Sequence, residues 1–130
     1  MVTKAKDNMT KVLVVDDDPD LVAVCSLVLE YEGYDIAVAR NGVEAYKVLS
    51  EDGPGAPDVV LMDVMMPVMD GITVCKMVKR DPHMKDMPVI IMSASETLRE
   101  QARGAAADAV IAKPFDIDYL VNTVNQFAAS

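Results

Sequence analysis

Short runs of apolar residues recur along this chain, separated by amphipathic stretches of about ten to fifteen residues. This alternation predicts repeated strand–helix units, because neighbouring parallel strands are joined by a crossover helix. Right-handed crossovers then favour an α/β fold with a five-stranded parallel sheet, doubly wound, in the order 2-1-3-4-5. The predicted strands lie at 11–15, 34–39, 58–62, 88–92 and 108–112. The predicted helices lie at 18–32, 41–50, 71–80, 95–103 and 116–128.

Helical periodicity predicts which side of each helix faces the core. In the first helix, the apolar positions that share one side are Leu21, Val24, Cys25 and Val28. In the second helix, the positions predicted to point inward are Val43, Tyr46 and Leu49. Asp18, directly before the first helix, is a predicted cap of its N-terminus.

Length and charge limit the class of protein. The chain has 130 residues, which predicts a polar tail over residues 1–10 and a single domain over residues 11–130. A net charge of −9 argues against nucleic acid as a direct partner. No apolar run approaches the roughly 20 residues of a membrane span, and the N-terminal residues lack the apolar core of a signal peptide. We therefore expect a cytoplasmic protein that has no membrane partner.

Polar side chains follow four of the predicted strands. Asp16 and Asp17 come after the first strand, Asp63 after the third, Ser93 after the fourth and Lys113 after the fifth. The carboxyl ends of parallel strands lie along one edge of a sheet, where ligands bind. Acidic groups, a hydroxyl and a lysine that meet there indicate a site for a divalent cation and a phosphoryl group.

The three consecutive acids at positions 16–18 predict two different roles. A carboxylate at Asp18 is well placed to stabilise the N-terminus of a helix. Asp16 and Asp17 are not explained by capping, since adjacent acids beyond a buried strand repel one another. A cation that prefers oxygen ligands would relieve this repulsion, so Asp16 and Asp17 are predicted metal ligands.

The segment 57–71 (PDVVLMDVMMPVMDG) resembles the signature of response-regulator receiver domains, the phosphoacceptor partners of sensor histidine kinases. The acidic pair after the first strand, Ser93-Ala94 after the fourth and Lys113-Pro114-Phe115 after the fifth agree with that family in order and spacing. The resemblance covers about residues 11–128 and implies the flavodoxin-like receiver fold.

The resemblance also implies a role for each residue of the site. Asp63 would be the phosphoacceptor, Lys113 would pair with the phosphoryl oxygens, and the Ser93 hydroxyl would donate a hydrogen bond to one of them. The cofactor would be Mg²⁺, with Mn²⁺ as a substitute. Its implied ligands are three carboxylates and one backbone carbonyl, those of Asp16, Asp17, Asp63 and Met65.

The implied partners are a sensor histidine kinase or phosphotransfer protein as the donor, and a downstream protein that the sequence does not identify. The family resemblance implies a phosphoacceptor signalling domain rather than an enzyme, with self-phosphorylation from small donors. Met65, two residues beyond the acceptor, cannot hold a water by a strong hydrogen bond, which predicts slow self-dephosphorylation. Val110 replaces the aromatic residue that the family usually has three positions before the lysine, so an aromatic switch is not available.

Two alternatives remain at this stage. A haloacid-dehalogenase-like phosphatase also uses an aspartate nucleophile and Mg²⁺, but Asp20 stands where that class has Thr or Val, and no second acidic pair follows Lys113. A receiver-like interaction module that is not phosphorylated would be expected to lack the acceptor, the acidic pair or the lysine. The sequence does not identify the cognate kinase, the output pathway, the oligomeric state or whether the domain comes from a longer regulator.

Overall fold

The computed structural model of the chain describes residues 10–51 and 55–128. The predicted tail over residues 1–10 lies outside the described residues except for Thr10. The strands are β1 (Lys11–Val15), β2 (Asp35–Ala39), β3 (Val59–Asp63), β4 (Val89–Ser93) and β5 (Ala109–Ala112). The helices are α1 (Pro19–Tyr31), α2 (Gly42–Leu49), α3 (Gly71–Arg80), α4 (Glu96–Gly104) and α5 (Ile117–Ala128).

The sheet has five parallel strands in the order β2-β1-β3-β4-β5, which confirms the predicted fold. The register aligns the carboxyl ends of the strands: Asp63 lies beside Met92, and Ser93 lies beside Ala112. Within the residues described, no helix is both long enough and apolar enough to cross a bilayer.

Two apolar layers cover the faces of the sheet. On one face, Leu13 and Ile91 pack with buried residues of α2, α3 and α4. On the other face, Val12 and Ile90 pack with buried residues of α1 and α5. Alternate side chains of a strand point to opposite faces, so central strands buried on both sides consist of apolar residues throughout. Only the ends of these strands remain for polar side chains.

Four helices begin with a side-chain cap. The side chains of Asp18, Asn41, Asp70 and Ser95 each accept a hydrogen bond from a backbone N–H two or three residues later. The predicted cap at Asp18 is confirmed, and α1 starts at Pro19. Each cap satisfies a backbone donor that would otherwise lack a partner, and it fixes where the preceding loop leaves the sheet edge.

Two predicted core positions are wrong. Val24 is 46% exposed and Val43 is 48% exposed. The buried positions of α1 are Cys25 and Leu29, four residues apart, and those of α2 include Ala45 rather than Val43. The side of a helix that meets the sheet is narrower than its apolar stripe, so an apolar side chain at the margin of the stripe stays in solvent.

Gly71 allows the loop between β3 and α3 to return to the end of β3. A Cβ on Gly71 would lie 2.4 Å from the carbonyl oxygen of Asp63. The N–H of Gly71 also donates to the carbonyl of Val64 at 3.0 Å. Any larger residue at this position would displace the backbone next to Asp63, so the approach requires glycine.

Val68 occupies the left-handed backbone region in the same loop, with φ of 71°, and its side chain is 87% exposed. A β-branched residue is strained in this region, and the exposed side chain contributes little packing. We expect Val68→Gly to raise the free energy of unfolding by roughly 0.5–1 kcal/mol in urea denaturation. Val43→Gly, at a half-exposed position in the first turn of α2, is the control and should lower it by roughly 0.5 kcal/mol. A loss of stability in Val68→Gly would show that its conformation is not strained.

Candidate functional site

Three carboxylates that are distant in sequence meet at the carboxyl edge of the sheet. Asp16, Asp17 and Asp63 each offer one carboxylate oxygen, and these oxygens all lie within 4.8 Å of one another. Asp16 and Asp63 are buried, whereas Asp17 is exposed and opens the cluster to solvent. Close negative charges repel one another, and the repulsion is stronger where water is excluded. The arrangement therefore favours a bound cation.

The two carboxylate oxygens of Asp16 differ in their surroundings. Oδ1 accepts a hydrogen bond from the backbone N–H of Asp18 at 3.0 Å. Among the residues that the structure describes, no donor lies within hydrogen-bond distance of the buried Oδ2, although Nζ of Lys113 is 3.6 Å away. Burial raises the pKa of Asp16, the Asp18 N–H opposes that effect, and the charge of Asp63 adds to it. A buried oxygen with no donor, beside two more carboxylates, fits a divalent cation such as Mg²⁺.

Lys113 places an ammonium group against the acceptor predicted from the sequence. Its Nζ lies 2.5 Å from Oδ1 of Asp63 and 3.6 Å from Oδ2 of Asp16. Burial lowers the pKa of Lys113, but the hydrogen bond and charge of Asp63, with the charge of Asp16, outweigh it, so the pKa is raised. Lys113 therefore stays charged at neutral pH.

Ser93 ends β4 between the strands that bear Asp63 and Lys113, and its side chain is buried. Its Oγ accepts a hydrogen bond from the backbone N–H of Ser95 at 3.1 Å. The hydroxyl hydrogen remains able to donate, because a serine hydroxyl is one donor as well as an acceptor. The structure thus brings the three carboxylates and the Lys113 ammonium together and places Ser93 at the end of the strand next to β3.

Met65 lies in the loop directly after Asp63, and its side chain is 67% exposed. The role of its backbone carbonyl as a metal ligand stays a prediction. Two arginines next to the site were not predicted from the sequence. Arg40 lines a cavity of about 340 Å³ with Asp16 and Asp17, and Arg99 donates a hydrogen bond to the carbonyl of Ser93. No sequence pattern marks either arginine as part of a site, since arginines are common on protein surfaces.

A carboxylate nucleophile, a fixed ammonium group, a hydroxyl donor and a place for a divalent cation suit the transfer of a phosphoryl group. The sequence profile of the response regulator receiver domain matches residues 12–125. The chain belongs to this family. Its flavodoxin-like fold and its function as a response-regulator receiver domain are therefore established, and the phosphatase alternative is not supported.

Known proteins agree with this assignment. The chain is 32% identical over 118 residues to the DNA-binding dual master transcriptional regulator RpaA of Synechocystis. The aligned region covers 89% of this chain and 48% of RpaA. The chain thus spans about half the length of this relative. The receiver domain of the Francisella response regulator 1452 is 34% identical, with a TM-score of 0.82, and the match covers 92% of this chain and 97% of that domain.

A further structural match is the receiver domain of the sensor histidine kinase PA1611 from Pseudomonas aeruginosa. It has a TM-score of 0.82 over 93% of this chain and 98% of that domain, and it is described with a magnesium ion coordinated in the active site cleft. Its identity of 24% shows a shared fold only. Receiver domains bind Mg²⁺ at an acidic pocket, and the carboxylate cluster of this chain fits such an ion.

Proposed function

We propose that Asp63 accepts a phosphoryl group from a phosphohistidine of a sensor histidine kinase or a phosphotransfer protein, in a reaction that depends on Mg²⁺. The observation that supports this most directly is the position of the Asp63 carboxylate, which is buried, close to two other carboxylates and 2.5 Å from the Lys113 ammonium. Carboxylates at such sites form acyl phosphates.

The transfer requires no base. A carboxylate oxygen of Asp63 attacks phosphorus, a P–O bond forms, the P–N bond breaks, and the electron pair stays on the imidazole nitrogen of the donor. The new acyl phosphate is anionic, and Lys113 is close enough to Asp63 to pair with the phosphoryl oxygens. The Ser93 hydroxyl is free to donate to another of them. Positioning and charge neutralisation are what this reaction needs from a protein.

The residues that would hold the metal are Asp16, Asp17, Asp63 and the backbone carbonyl of Met65. A bound Mg²⁺, or Mn²⁺ in its place, supplies positive charge next to the phosphoryl oxygens. The close carboxylate oxygens and the buried Asp16 oxygen without a donor support this assignment. The magnesium in the receiver domain of PA1611 agrees with it.

The signal would leave the domain through a downstream protein partner, in the cytoplasm and without a membrane partner. We propose that this domain does not itself contact nucleic acid, because its net charge of −9 opposes a phosphate backbone. RpaA is named a DNA-binding regulator, but the chain matches only 48% of it. We therefore propose no DNA-binding activity for this domain on the basis of that relative.

Intact mass after incubation with phosphoramidate and Mg²⁺ tests the proposed function. We expect the parent protein to gain one phosphoryl group, and the gain to disappear with EDTA or in Asp63→Asn. Circular dichroism of Asp63→Asn should match that of the parent, which controls for folding. An equal mass gain in Asp63→Asn would contradict the acceptor assignment. A folded parent that gains no mass from either phosphoramidate or acetyl phosphate would favour the alternative of a receiver-like module that is not phosphorylated.

A further inference from the structure

An arginine side chain of helix α4 contacts the end of β4, in addition to the link through the cap residue Ser95. Nη1 of Arg99 donates a hydrogen bond to the backbone carbonyl of Ser93 at 2.9 Å. The backbone N–H of Lys113 donates to the same oxygen at 3.0 Å. A carbonyl oxygen has two lone pairs, so these two donors use its full capacity. The position of Ser93 therefore depends on β5 and on the Arg99 side chain of α4.

The two donors respond differently when the site closes on an anion. Ser93 and Lys113 lie at the ends of paired strands, and the Lys113 ammonium contacts Asp63. They can move towards it together and keep their backbone hydrogen bond. Arg99 belongs to the next helix, so a shift of Ser93 lengthens the Arg99 hydrogen bond first. Hydrogen bonds weaken steeply when their distance or angle departs from the ideal.

The Arg99 side chain also borders open space beside β5. Arg99 lines a cavity of about 400 Å³, together with Val110, Tyr119 and Asp116. Val110 is short, so the space beside the strand is open on that side. Asp116 lies at the cavity and offers a carboxylate to an arginine that has left the Ser93 carbonyl. Oδ1 of Asp116 accepts from the N–H of Asp118, so its Oδ2 is the acceptor that a released guanidinium group would take at the start of α5.

We propose that Arg99 is a positioning residue that holds Ser93 in the unloaded arrangement and couples loading of Asp63 to α4. In the unloaded protein, Arg99 ties α4 to the Ser93 carbonyl. When the Ser93 hydroxyl turns to the phosphoryl group, Arg99 moves into the cavity beside Val110, and α4 loses this hydrogen bond to the end of β4. This inference rests on the proposed function of Asp63.

Amide hydrogen exchange of α4, with and without beryllofluoride and Mg²⁺, tests this coupling. Beryllofluoride is a probe that forms a tetrahedral anion on a carboxylate. In the parent, we expect beryllofluoride to speed exchange over residues 96–104 by roughly tenfold, the factor that a hydrogen bond from a charged donor contributes. In Arg99→Ala, the α4 amides should exchange without beryllofluoride about as fast as those of the parent do with it, and beryllofluoride should cause no further increase.

Two further variants separate coupling from a general loss of stability. Arg103→Ala removes another α4 arginine that lines the same cavity, and it should behave like the parent. Arg99→Lys keeps one charged donor and should lie between the parent and Arg99→Ala. If Arg99→Ala does not fold, Arg99→Lys is compared with the parent. The proposal would be overturned if beryllofluoride speeded α4 exchange in Arg99→Lys by the same factor as in the parent.

The outcomes also distinguish the two proposals. If beryllofluoride leaves the amide resonances of Ser93 and Lys113 unchanged in the parent, the proposed function itself fails. If it shifts those resonances but speeds α4 exchange equally in the parent and in Arg99→Ala, the site is correct and the role of Arg99 is wrong.

Discussion

Asp17→Asn is expected to weaken Mg²⁺ affinity by on the order of a hundredfold, because it removes one of three negative charges from the carboxylate cluster. Asp18→Ala should change the affinity by no more than about twofold, since an exposed charge outside the cluster is screened by solvent and salt. The two acids are adjacent in sequence and both precede α1. Their different effects would therefore reflect what each side chain contacts.

The free energy of unfolding should separate the two variants in the opposite way, with the loss in Asp18→Ala and not in Asp17→Asn. Asp18 caps α1, and its replacement by alanine should lower the free energy of unfolding by about 1 kcal/mol. Asp17→Asn relieves repulsion in the metal-free protein and should leave the free energy of unfolding equal or higher. Calorimetric Mg²⁺ titrations and urea denaturation, both on the same three proteins, measure these quantities. Equal losses of Mg²⁺ affinity in the two variants would contradict the assignment of ligand and cap.

The part of the site that lies at strand ends could be predicted from the sequence. Asp16 and Lys113 directly follow apolar strands, Asp63 and Ser93 are the last residues of apolar strands, and parallel strands bring such ends to one edge. Right-handed crossovers limited the possible strand orders, and the resemblance to receiver domains selected 2-1-3-4-5 among them. Where these side chains lie depends on strand direction and sheet topology, so it could be predicted without knowing how the helices pack.

Features that depend on how a helix is rotated against the sheet could not be predicted. Arg99 reaches the Ser93 carbonyl because α4 turns that residue towards the end of β4, and its sequence neighbours give no sign of this. The exposure of Val24 and Val43 has the same origin, since their apolar side chains fit the helical pattern but lie beyond the contact with the sheet. The positive φ of Val68 is also set by loop closure rather than by residue type.

The phosphorylated lifetime should depend on Met65. Hydrolysis of the acyl phosphate needs a water in line with the P–O bond, and the side chain two residues beyond the acceptor is placed to orient that water or exclude it. Met65 has no strong hydrogen-bonding group, so the parent should lose its phosphoryl group slowly. We expect Met65→Asn to speed the loss about tenfold, because one hydrogen bond to the attacking water is worth roughly 1.4 kcal/mol in the transition state.

The decay of the phosphorylated mass after the small donor is removed measures this lifetime. Val68→Asn is the matched control, because it introduces the same side chain in the same exposed loop three residues further along. Its decay should stay within about twofold of the parent, since that amide lies too far along the loop to hold the water by a direct hydrogen bond. Mg²⁺ affinity should stay unchanged in Met65→Asn, because the proposed ligand at this position is the backbone carbonyl. If Met65→Asn kept the parent's Mg²⁺ affinity and decayed no faster than the parent, the apolar side chain would not be what protects the acyl phosphate.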